Sequence, residues 1–399
     1  MKPPRSLIRR TPWPTSTSRP VVTPLSPSVV YASPDPDALD AQYAGGTGYT
    51  YAREGHPNAE VLAAKIDHLE GAPDLFEAPG LVVGSGMAAV GAVFLGLLKA
   101  GDHVLGGDQL YGRTLRMMNE DLPRLGIATS LADPSDIAAM RAALRPETRM
   151  IVVEVLSNPT LRVADMEGLA ALAAEAGVLL VVDNTFTTPA LYRPFAHGAH
   201  IVIHSVTKLL AGHSDATLGW VAAKDPALAE KMRVAAVTWG LTPSPFDCWL
   251  AERGLHSFHL RMEAAEARAA ELAGALAGMP GVRRVLYPTR PDHPDHNRAV
   301  ALFGGRGGNM VSFELEGGRA AANAFTRAAP EIAFAPTLGD VGTTLSHPAS
   351  SSHRALTPEA RERLGISEGF FRVSVGIEET GLLVGEIRAA VEAAAAVSR

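Results

Sequence analysis

The stretch IVIHSVTKLLAGHSD, residues 201–215, runs from a short apolar segment into a lysine, Lys208, that has hydroxyl-bearing and apolar neighbours. The apolar residues 201–203 are typical of a buried strand, and Lys208 lies within a few residues of the end of that strand. A lone lysine is usually a solvated surface charge, whereas a desolvated lysine often has a chemical role. The surrounding sequence is therefore needed to distinguish a surface lysine from a functional one.

Short apolar runs alternate with amphipathic segments from about residue 60 to residue 240. The runs that predict strands are LVVGSG (81–86), HVLGG (103–107), MIVVEV (150–155), VLLVVDN (178–184) and HIVIHS (200–205). Helix patterns lie between them, including 164–177, where Asp165 is suited to cap the start and Gly177 to end the helix. Continuous apolar strands between helices indicate a mostly parallel sheet covered on both faces, and such sheets bind ligands beyond the carboxyl ends of their strands.

The pattern changes near residue 248, where a long alanine-rich helical segment begins. Further helix patterns cover 318–329 and 380–397, and strand patterns lie in VRRVLYP (282–288), NMVSFELEG (309–317), IAFAP (332–336) and FFRVSVGI (370–377). The glycine-rich GGRGGN at 304–309 precedes a strand rather than a helix, which favours a loop over a phosphate-binding turn. We therefore predict an extended N-terminal arm over residues 1–48, a mostly parallel α/β domain over 49–247 and a smaller α+β domain over 248–399.

Composition and charge narrow the class of protein. The chain has 399 residues, of which 47% are hydrophobic and 20% charged, as expected of a globular protein with a large core. Its net charge of −6 gives no global electrostatic case for nucleic-acid binding. Its one cysteine, Cys248, excludes an intrachain disulfide framework and fits a reducing, cytoplasmic compartment. The longest strongly apolar stretch, 88–98, is well short of the ~20 residues that a membrane span needs, so we expect none.

The N-terminal arm is basic and rich in proline. Residues 1–34 contain five basic side chains and no acidic one. Prolines at positions 3, 4, 12, 14 and 20 disfavour both the amphipathic helix and the apolar core of a targeting peptide. We expect this arm to be extended and to lie on a neighbouring subunit.

Residues of types that can bind a ligand or take part in catalysis follow the predicted strands, at the point where each strand ends. They are Gly86 and Met87 at the start of a helix, Tyr111, Asn158, Asp183, and Lys208 with its flanking hydroxyl residues Ser205 and Thr207. Taken singly, each has an ordinary explanation: a turn, core packing, a turn cap, a helix cap or a solvated charge. Because the carboxyl ends of parallel strands meet at one edge of a sheet, we expect all of them to lie close together.

Pyridoxal phosphate requires this combination of groups. A lysine amine bonds to its aldehyde, a carboxylate keeps its pyridine nitrogen protonated, and an aromatic ring stacks on it. Hydroxyl groups and a helix N-terminus bind its phosphate. The amine must lose its proton to react, and burial near cationic groups favours that loss. We therefore predict that Lys208 is the lysine that binds this cofactor.

Nine motifs occur in one order along the chain: GYTYAREGHPN, GSGMAA, LYGRT, SNPT, VVDNTF, HSVTKLLAGHSD, SPFDCWLAERGLHSFHLRM, LSHPASSSH and FFRVSVGIEE. Their order and the Ser-x-Thr-Lys run resemble the Cys/Met-metabolism (trans-sulfuration) enzymes that use pyridoxal phosphate. The similarity covers about residues 24–395. It implies an α/β fold like that of the aspartate aminotransferase-like, fold type I enzymes.

The resemblance implies roles around the cofactor. Lys208 would bind the aldehyde and move protons, Asp183 would pair with the pyridine nitrogen, and Tyr111 would stack on the ring and take part in proton transfer. The resemblance also implies a set of phosphate-binding residues: Gly86, Met87, Ser205 and Thr207.

The resemblance further implies a substrate site and a partner subunit. Arg372 would bind the α-carboxylate of a small-molecule amino-acid substrate, since a guanidinium fork suits a carboxylate, with Asn158 and Thr337 beside it. Tyr51 and Arg53 would bind the phosphate of the neighbouring subunit's cofactor. A shared site implies a homodimer, and members of the family are usually homotetramers of two such dimers.

Departures from the family pattern bear on the substrate. Arg113 stands where methionine γ-lyases carry a cysteine, and Gly342 stands where cystathionine-handling members carry a glutamate. GHPNAE replaces the usual Gly-Asn-Pro-Thr-Arg, whereas SPFDCWL…RGLHSFHLRM favours cystathionine γ-lyase or γ-synthase. We therefore predict γ-elimination or γ-replacement at cystathionine. Cystathionine β-lyase, homoserine sulfhydrylase and methionine γ-lyase activities are the alternatives.

Two interpretations belong to other classes of protein. His293, Asp295 and His296 could ligate the metal of a hydrolase, but the proline within this run favours an exposed turn, so we expect no metal site. The fold could also be retained without catalysis, as a binding protein. The combination of Lys208, Asp183, Tyr111 and Arg372 argues against that interpretation.

Overall fold

In the computed structural model, which describes residues 17–45, 47–354 and 356–397, seven strands form the larger of two sheets. They are β1 (Leu81–Val83), β2 (His103–Gly107), β3 (Ala128–Ala132), β4 (Thr148–Glu154), β5 (Leu179–Asp183), β6 (Ile201–His204) and β7 (Gly219–Ala223). Their order is β1–β7–β6–β5–β4–β2–β3, and within this sheet only β7 runs antiparallel to its neighbours. The prediction of a mostly parallel sheet is confirmed, although β3 and β7 lie outside the predicted strands.

Helices cover both faces of this sheet. The helices up to β7 and directly after it are α1 (Pro36–Tyr43), α2 (Pro57–Glu70), α3 (Gly86–Leu97), α4 (Gly112–Arg116), α5 (Leu122–Arg124), α6 (Ile137–Ala142), α7 (Met166–Ala176), α8 (Thr188–Leu191) and α9 (Pro226–Thr238). Ile151 and Val153 of β4 belong to one core with Leu169 of α7, whereas Val152 packs in another core with Val93 of α3. Alternate residues of one strand therefore face different helix layers, which explains the continuous apolar runs.

Capping side chains fix where several helices begin. Asp165 caps α7, accepting a hydrogen bond from the backbone N of Gly168 at 3.0 Å, and Gly177 follows the helix, as predicted. Asp35 caps α1 and Pro36 lies in its first turn, so the extended conformation predicted through residue 48 does not hold for residues 36–43. Residues 1–16 of the predicted arm lie outside the described residues.

The second sheet has five strands in the order β10–β11–β12–β9–β8. They are β8 (Val282–Leu286), β9 (Met310–Leu315), β10 (Ala333–Phe334), β11 (Thr344–Ser346) and β12 (Phe370–Ser374). The helices of this part of the chain are α10 (Pro245–Leu255), α11 (Phe258–Ala277), α12 (His296–Phe303), α13 (Gly318–Ala328), α14 (Pro358–Arg363) and α15 (Thr380–Val397). Across the described residues, every helix is too short or too polar to cross a membrane.

One face of the second sheet packs on helices, and the other packs in part on the segment between β11 and β12. Phe371 and Val373 of β12 belong to a core with α13 and α15. Arg372 lies between them and therefore occupies the opposite face. On the neighbouring strand β9, Ser312 donates a hydrogen bond to the carbonyl of Pro159 at 2.7 Å. The second sheet thus contacts the loop that follows β4.

The alanine-rich segment predicted as one helix forms two. Helix α10 ends at Leu255, and α11 begins at Phe258. Cys248 and Ala251 of α10 belong to the core of the first sheet, as do Phe258 and Met262 at the start of α11. The rest of α11 packs on the second sheet, so the domain boundary at residue 248 stays a prediction.

A buried glutamate joins the ends of two adjacent strands. Glu70 is the last residue of α2 and is fully buried. Its Oε1 accepts hydrogen bonds from Nε2 of His204 at 2.5 Å and from Nδ2 of Asn184 at 3.0 Å. His204 ends β6 and Asn184 directly follows β5, so Glu70 holds these two strand ends side by side.

We expect Glu70→Ala to lower the free energy of unfolding by roughly 2–6 kcal/mol, because two buried donors lose their acceptor. Urea unfolding of the cofactor-free protein measures this loss. Glu175→Ala is the control, because Glu175 pairs with Arg141 on the surface and such pairs contribute little. Equal losses in the two variants would contradict a special role for Glu70.

Candidate active site

A cavity of about 840 Å³ lies where the carboxyl edge of the first sheet meets the second sheet. Its lining includes most of the residues predicted from the sequence: Gly86, Met87, Tyr111, Asn158, Asp183, Ser205, Thr207, Lys208, Thr337 and Arg372. The lining of this chain's own cavity, as far as the described residues show it, contains neither Tyr51 nor Arg53.

Lys208 lies in the turn that follows β6, where its backbone N donates to the carbonyl of Ser205 at 3.1 Å. Its Nζ donates to Oγ1 of Thr337 at 3.3 Å, across the gap to the second sheet. Burial lowers the pKa of Lys208, and the nearby positive charge of Arg372 lowers it further. The amine therefore loses its proton at a lower pH than an exposed lysine, which favours its reaction with an aldehyde.

Asp183 ends β5 and is held by the residue two positions along the chain. Its Oδ1 accepts hydrogen bonds from the backbone N of Thr185 at 3.0 Å and from Oγ1 of Thr185 at 2.5 Å. Burial raises the pKa of Asp183, while Thr185 and the charge of His204 oppose that rise. Oγ1 of Thr185 also accepts from the backbone N of Ser205 at 2.9 Å. Thr185, whose role the sequence analysis missed, thus links the Asp183 carboxylate to the turn that carries Lys208.

The first turn of helix α3 packs against the turn after β6 that carries Ser205 and Lys208. Ser85 caps this helix, accepting from the backbone N of Ala88 at 3.0 Å. A Cβ added to Gly86 would come within 2.7 Å of Cβ of Ser205, so the close approach of the two segments requires glycine. Oγ1 of Thr207 donates a hydrogen bond to the carbonyl of Leu218 at 3.1 Å and accepts one from the backbone N of Leu218 at 2.9 Å. The hydroxyl groups and the N–H groups at the start of α3, including that of Met87, form a polar surface suited to an anion.

Arg372 is a buried cation whose guanidinium group is held from two sides. Its Nη1 donates to Oδ1 of Asn158 at 2.7 Å, and its Nη2 donates to the carbonyl of Thr337 at 2.7 Å. Its Cζ lies 5.5 Å from the ring centroid of Phe186, and its Nε has no hydrogen-bond partner among the described residues. Burial lowers the pKa of Arg372 to about 10, so the group remains charged at neutral pH. A buried, oriented cation of this kind is suited to a carboxylate ligand.

Tyr111 opens α4 next to a carboxyl group that the sequence analysis did not single out. Its side chain is 40% exposed, and its backbone N donates to Oε1 of Glu154 at 2.5 Å. Glu154 ends β4 and pairs in register with Asp183 of β5. Burial raises the pKa of Glu154 well above its usual range, and the negative charge of Asp183 raises it further. A glutamate after an apolar run carries no local signal for such burial, which is why the sequence did not reveal it.

Arginine side chains lie at the mouth of the cavity. Arg113 and Arg354 line it as exposed residues, and Arg116 is paired with Glu120 at 3.0 Å. In the sequence, Arg113 is distinguished only as a departure from a family pattern. Gly342, the other departure, lies outside the cavity lining that the described residues form.

Tyr51 and Arg53 lie on the surface of the chain. Tyr51 is 40% exposed, and Cζ of Arg53 lies 5.2 Å from its ring centroid. Arg53 also lies 3.8 Å from the carboxylate of Glu54. The two residues predicted to serve a neighbouring subunit are therefore accessible to one.

The segment His293–His296 is not the exposed turn that its sequence predicts. His293 and Asp295 are buried, because Nε of Arg162 donates to Oδ2 of Asp295 at 2.6 Å and holds the carboxylate inside. The backbone N of Val163 donates to the same oxygen at 3.0 Å. Within the described ranges, no group of three or more His, Cys, Asp or Glu side chains could hold a metal ion.

Comparisons with known proteins bear on the identity of this site. A model of the Cys/Met metabolism PLP-dependent enzyme family matches residues 6–392. The chain is 39% identical to the cystathionine gamma-lyase of Bacillus subtilis (strain 168) over 346 residues, which cover 87% of this chain and 89% of the relative. It is also 39% identical to the cystathionine beta-lyase MetC of the same organism over 350 residues, 88% of each chain.

A solved structure gives the same result for the fold. The crystal structure of cystathionine gamma synthase from Xanthomonas oryzae pv. oryzae in complex with cystathionine superposes with a TM-score of 0.88 at 35% identity. The match covers 94% of both chains. The fold class and the family resemblance predicted from the sequence are confirmed. The chain belongs to the Cys/Met metabolism PLP-dependent enzyme family and is a pyridoxal-phosphate enzyme of the lyase and transferase class.

Proposed function

We propose that this enzyme catalyses elimination or replacement at the γ-carbon of cystathionine, as a cystathionine γ-lyase or γ-synthase. The observation that carries the proposal is the pairing of a half-buried amine, Lys208, with a buried cation, Arg372, in one cavity. Relatives named for γ-lyase and γ-synthase activity support this choice, and one of the solved structures holds cystathionine. A β-lyase relative of equal identity keeps β-cleavage as the first alternative. Homoserine sulfhydrylase and methionine γ-lyase activities follow it.

The residues of the cavity fit pyridoxal phosphate. The close approach of Gly86 to Ser205 forms a cradle next to the N–H groups of α3, where the phosphate would bind with Thr207 and Met87. The half-buried Asp183 carboxylate, at the end of the adjacent strand β5, would face the pyridine nitrogen. When bound, the cofactor supplies an aldehyde that takes up amines and a protonated ring that accepts electrons from an adjacent carbanion.

Different residues of the chain would bind the substrate and transfer protons. Arg372 would hold the substrate α-carboxylate, with the Asn158 amide and the Thr337 carbonyl fixing its guanidinium plane. The Lys208 amine, once released from the aldehyde, would take the α-proton at Nζ. In a γ-type reaction a second proton leaves the β-carbon, and either the Tyr111 hydroxyl or Lys208 would protonate the departing γ-substituent.

We further propose that the active unit is a homodimer with shared active sites, and that two dimers form a homotetramer. Tyr51 and Arg53 support this proposal because they lie on the surface and outside the cavity of their own chain. In a dimer they would reach the phosphate in the neighbouring subunit's cavity. A guanidinium group is well suited to a phosphate ligand.

Product analysis tests the reaction. Purified enzyme is supplied with cystathionine, and we expect cysteine and 2-oxobutanoate from γ-elimination rather than homocysteine and pyruvate. O-activated homoserines and methionine are run in parallel. Lys208→Ala is expected to abolish turnover and the visible absorption band of the bound cofactor. Homocysteine and pyruvate as the main products would replace the γ-assignment with β-cleavage.

We expect cofactor attachment to be pH dependent in a way that reports the pKa of Lys208. A lysine with a lowered pKa is neutral at lower pH, so attachment should rise with pH at a midpoint below the usual lysine range. Arg372→Met removes the second cause of the lowering, so the pKa of Lys208 and the midpoint should rise.

The measurement is the visible band that forms when cofactor-free protein is mixed with pyridoxal phosphate across a pH series. Arg113→Met is the control, because Arg113 also lines the cavity but is exposed at its mouth. An unchanged midpoint in Arg372→Met, or an equal shift in Arg113→Met, would rule out the specific effect of Arg372 on Lys208.

Mixed dimers test the shared site. Lys208→Ala and Arg53→Ala variants are unfolded, mixed and refolded together, and we expect activity to return because one site of each mixed dimer then has both residues. Lys208→Ala mixed with Asp183→Ala is the control, since both residues belong to the same chain's cavity and no intact site can form. Recovery in neither mixture, despite dimers on a sizing column, would refute the proposed role of Arg53.

A further inference from the structure

Glu154 is a half-buried carboxyl group in the wall of the active-site cavity, without a salt-bridge partner in the part of the chain that the structure describes. It ends β4 and pairs in register with Asp183, which ends the adjacent strand β5. Two carboxyl groups side by side in a buried site are costly unless hydrogen bonds compensate them.

The contacts of Glu154 are made with two loops that carry predicted site residues. Oε1 of Glu154 accepts a hydrogen bond from the backbone N of Tyr111 at 2.5 Å. The backbone N–H of Asn158 also lies close enough to this carboxyl group to lower its pKa. Tyr111 follows β2, whereas Asn158 lies in the turn after β4. One side chain thus ties together two segments that come from neighbouring strands.

The two tethered residues face different parts of the same cavity. The side-chain amide of Asn158 binds Nη1 of Arg372 at 2.7 Å, so the position of Asn158 sets the direction of that cation. Tyr111 directly precedes α4 and makes no side-chain cap hydrogen bond; its backbone hydrogen bond to Glu154 joins this end of the helix to the end of β4. Displacing the Glu154 carboxyl group would therefore move both a ring and an amide in the cavity.

We propose that Glu154 is a positioning residue, whose carboxyl oxygens hold the backbones of Tyr111 and Asn158 so that the Tyr111 ring covers the cofactor and the Asn158 amide aligns Arg372. The proposal rests on the roles of Tyr111 and Asn158 given in the proposed function. It assigns no contact between Glu154 and the substrate. The contribution of Glu154 is geometric: an acceptor oxygen at a fixed point on the sheet edge.

Three variants separate the acceptor oxygen from the charge. Glu154→Gln keeps an oxygen in place and removes the charge, Glu154→Asp keeps the charge but withdraws it by one methylene, and Glu154→Ala removes both. The dissociation constant of pyridoxal phosphate is measured by titrating cofactor-free protein. The circular dichroism of the visible band of the holoenzyme reports the orientation of the bound ring.

We expect Glu154→Ala and Glu154→Asp to weaken cofactor binding roughly tenfold, the size of a lost aromatic contact, and to change the circular dichroism of the bound cofactor. Glu154→Gln should stay within about twofold of the wild type by both measures, because a neutral amide oxygen still accepts the Tyr111 N–H. If the role of Glu154 were purely structural, the variants would lower the thermal midpoint of the cofactor-free protein, and cofactor binding would not separate Glu154→Gln from Glu154→Ala and Glu154→Asp. Binding that follows the charge, with Glu154→Gln as impaired as Glu154→Ala, would overturn the proposal.

A double-mutant cycle with Tyr111→Ala completes the test. If Glu154 acts through Tyr111, the loss in the double variant should be clearly smaller than the product of the two single losses. Losses that multiply, as for independent residues, would overturn the proposal. The proposed function is tested separately, by turnover of cystathionine by the wild type, and this outcome would not affect it. If Glu154→Ala does not fold, the contrast between Glu154→Gln and Glu154→Asp decides in the same way.

Discussion

Burial of the Lys208 amine is the physical constraint on which the site depends. An ammonium group loses hydration inside a protein, and the hydroxyl of Thr337 is the hydrogen-bond acceptor that the described residues offer to Nζ. The loop before β11 encloses the turn, because a Cβ on Gly339 would come within 2.7 Å of the Lys208 carbonyl carbon. Gly339 has a φ of +84°, which other residues rarely adopt, and the close contact leaves no room for a side chain. Glycine is therefore required at this position. The lowered pKa of the Lys208 amine thus depends on the packing of two distant parts of the chain.

Three carboxyl groups lie at the same sheet edge: Glu70, which is fully buried, and Glu154 and Asp183, which are half-buried. Burial raises the pKa of both Asp183 and Glu154. Hydrogen bonds oppose that rise in each group, and the charge of Arg372 also opposes it in Glu154. Asp183 accepts from Thr185, Glu154 accepts from the backbone of Tyr111, and Glu70 accepts from the ends of two strands. Because each donor belongs to a strand end or to a turn at the cavity, the hydrogen bonds that offset desolvation also fix the shape of the site.

Much of this arrangement could be predicted because parallel strands end at one edge of a sheet. Tyr111, Asn158, Asp183 and Lys208 each follow an apolar run, so the topology brings them together regardless of the helices between. Two strands of the sheet escaped prediction for a physical reason. Strand β3 is an edge strand with exposed and half-buried residues, and β7, GWVAA, is rich in residues of weak strand propensity. Their positions are set by pairing with stronger neighbours rather than by their own sequence.

The contacts that complete the site join residues far apart in sequence, and local patterns carry no information about them. Glu154 and Tyr111 are separated by 43 positions, and a glutamate after an apolar run has the same local pattern whether it faces water or a cavity. The same limit explains Asp295, which a proline-containing run predicts to be exposed, yet which Arg162, 133 positions away, holds inside. Local sequence therefore predicts which residues reach the sheet edge, while partners from elsewhere decide which of them are buried. Since burial is what lowers the pKa of Lys208, the chemistry of this site is a property of the packed chain and not of its motifs alone.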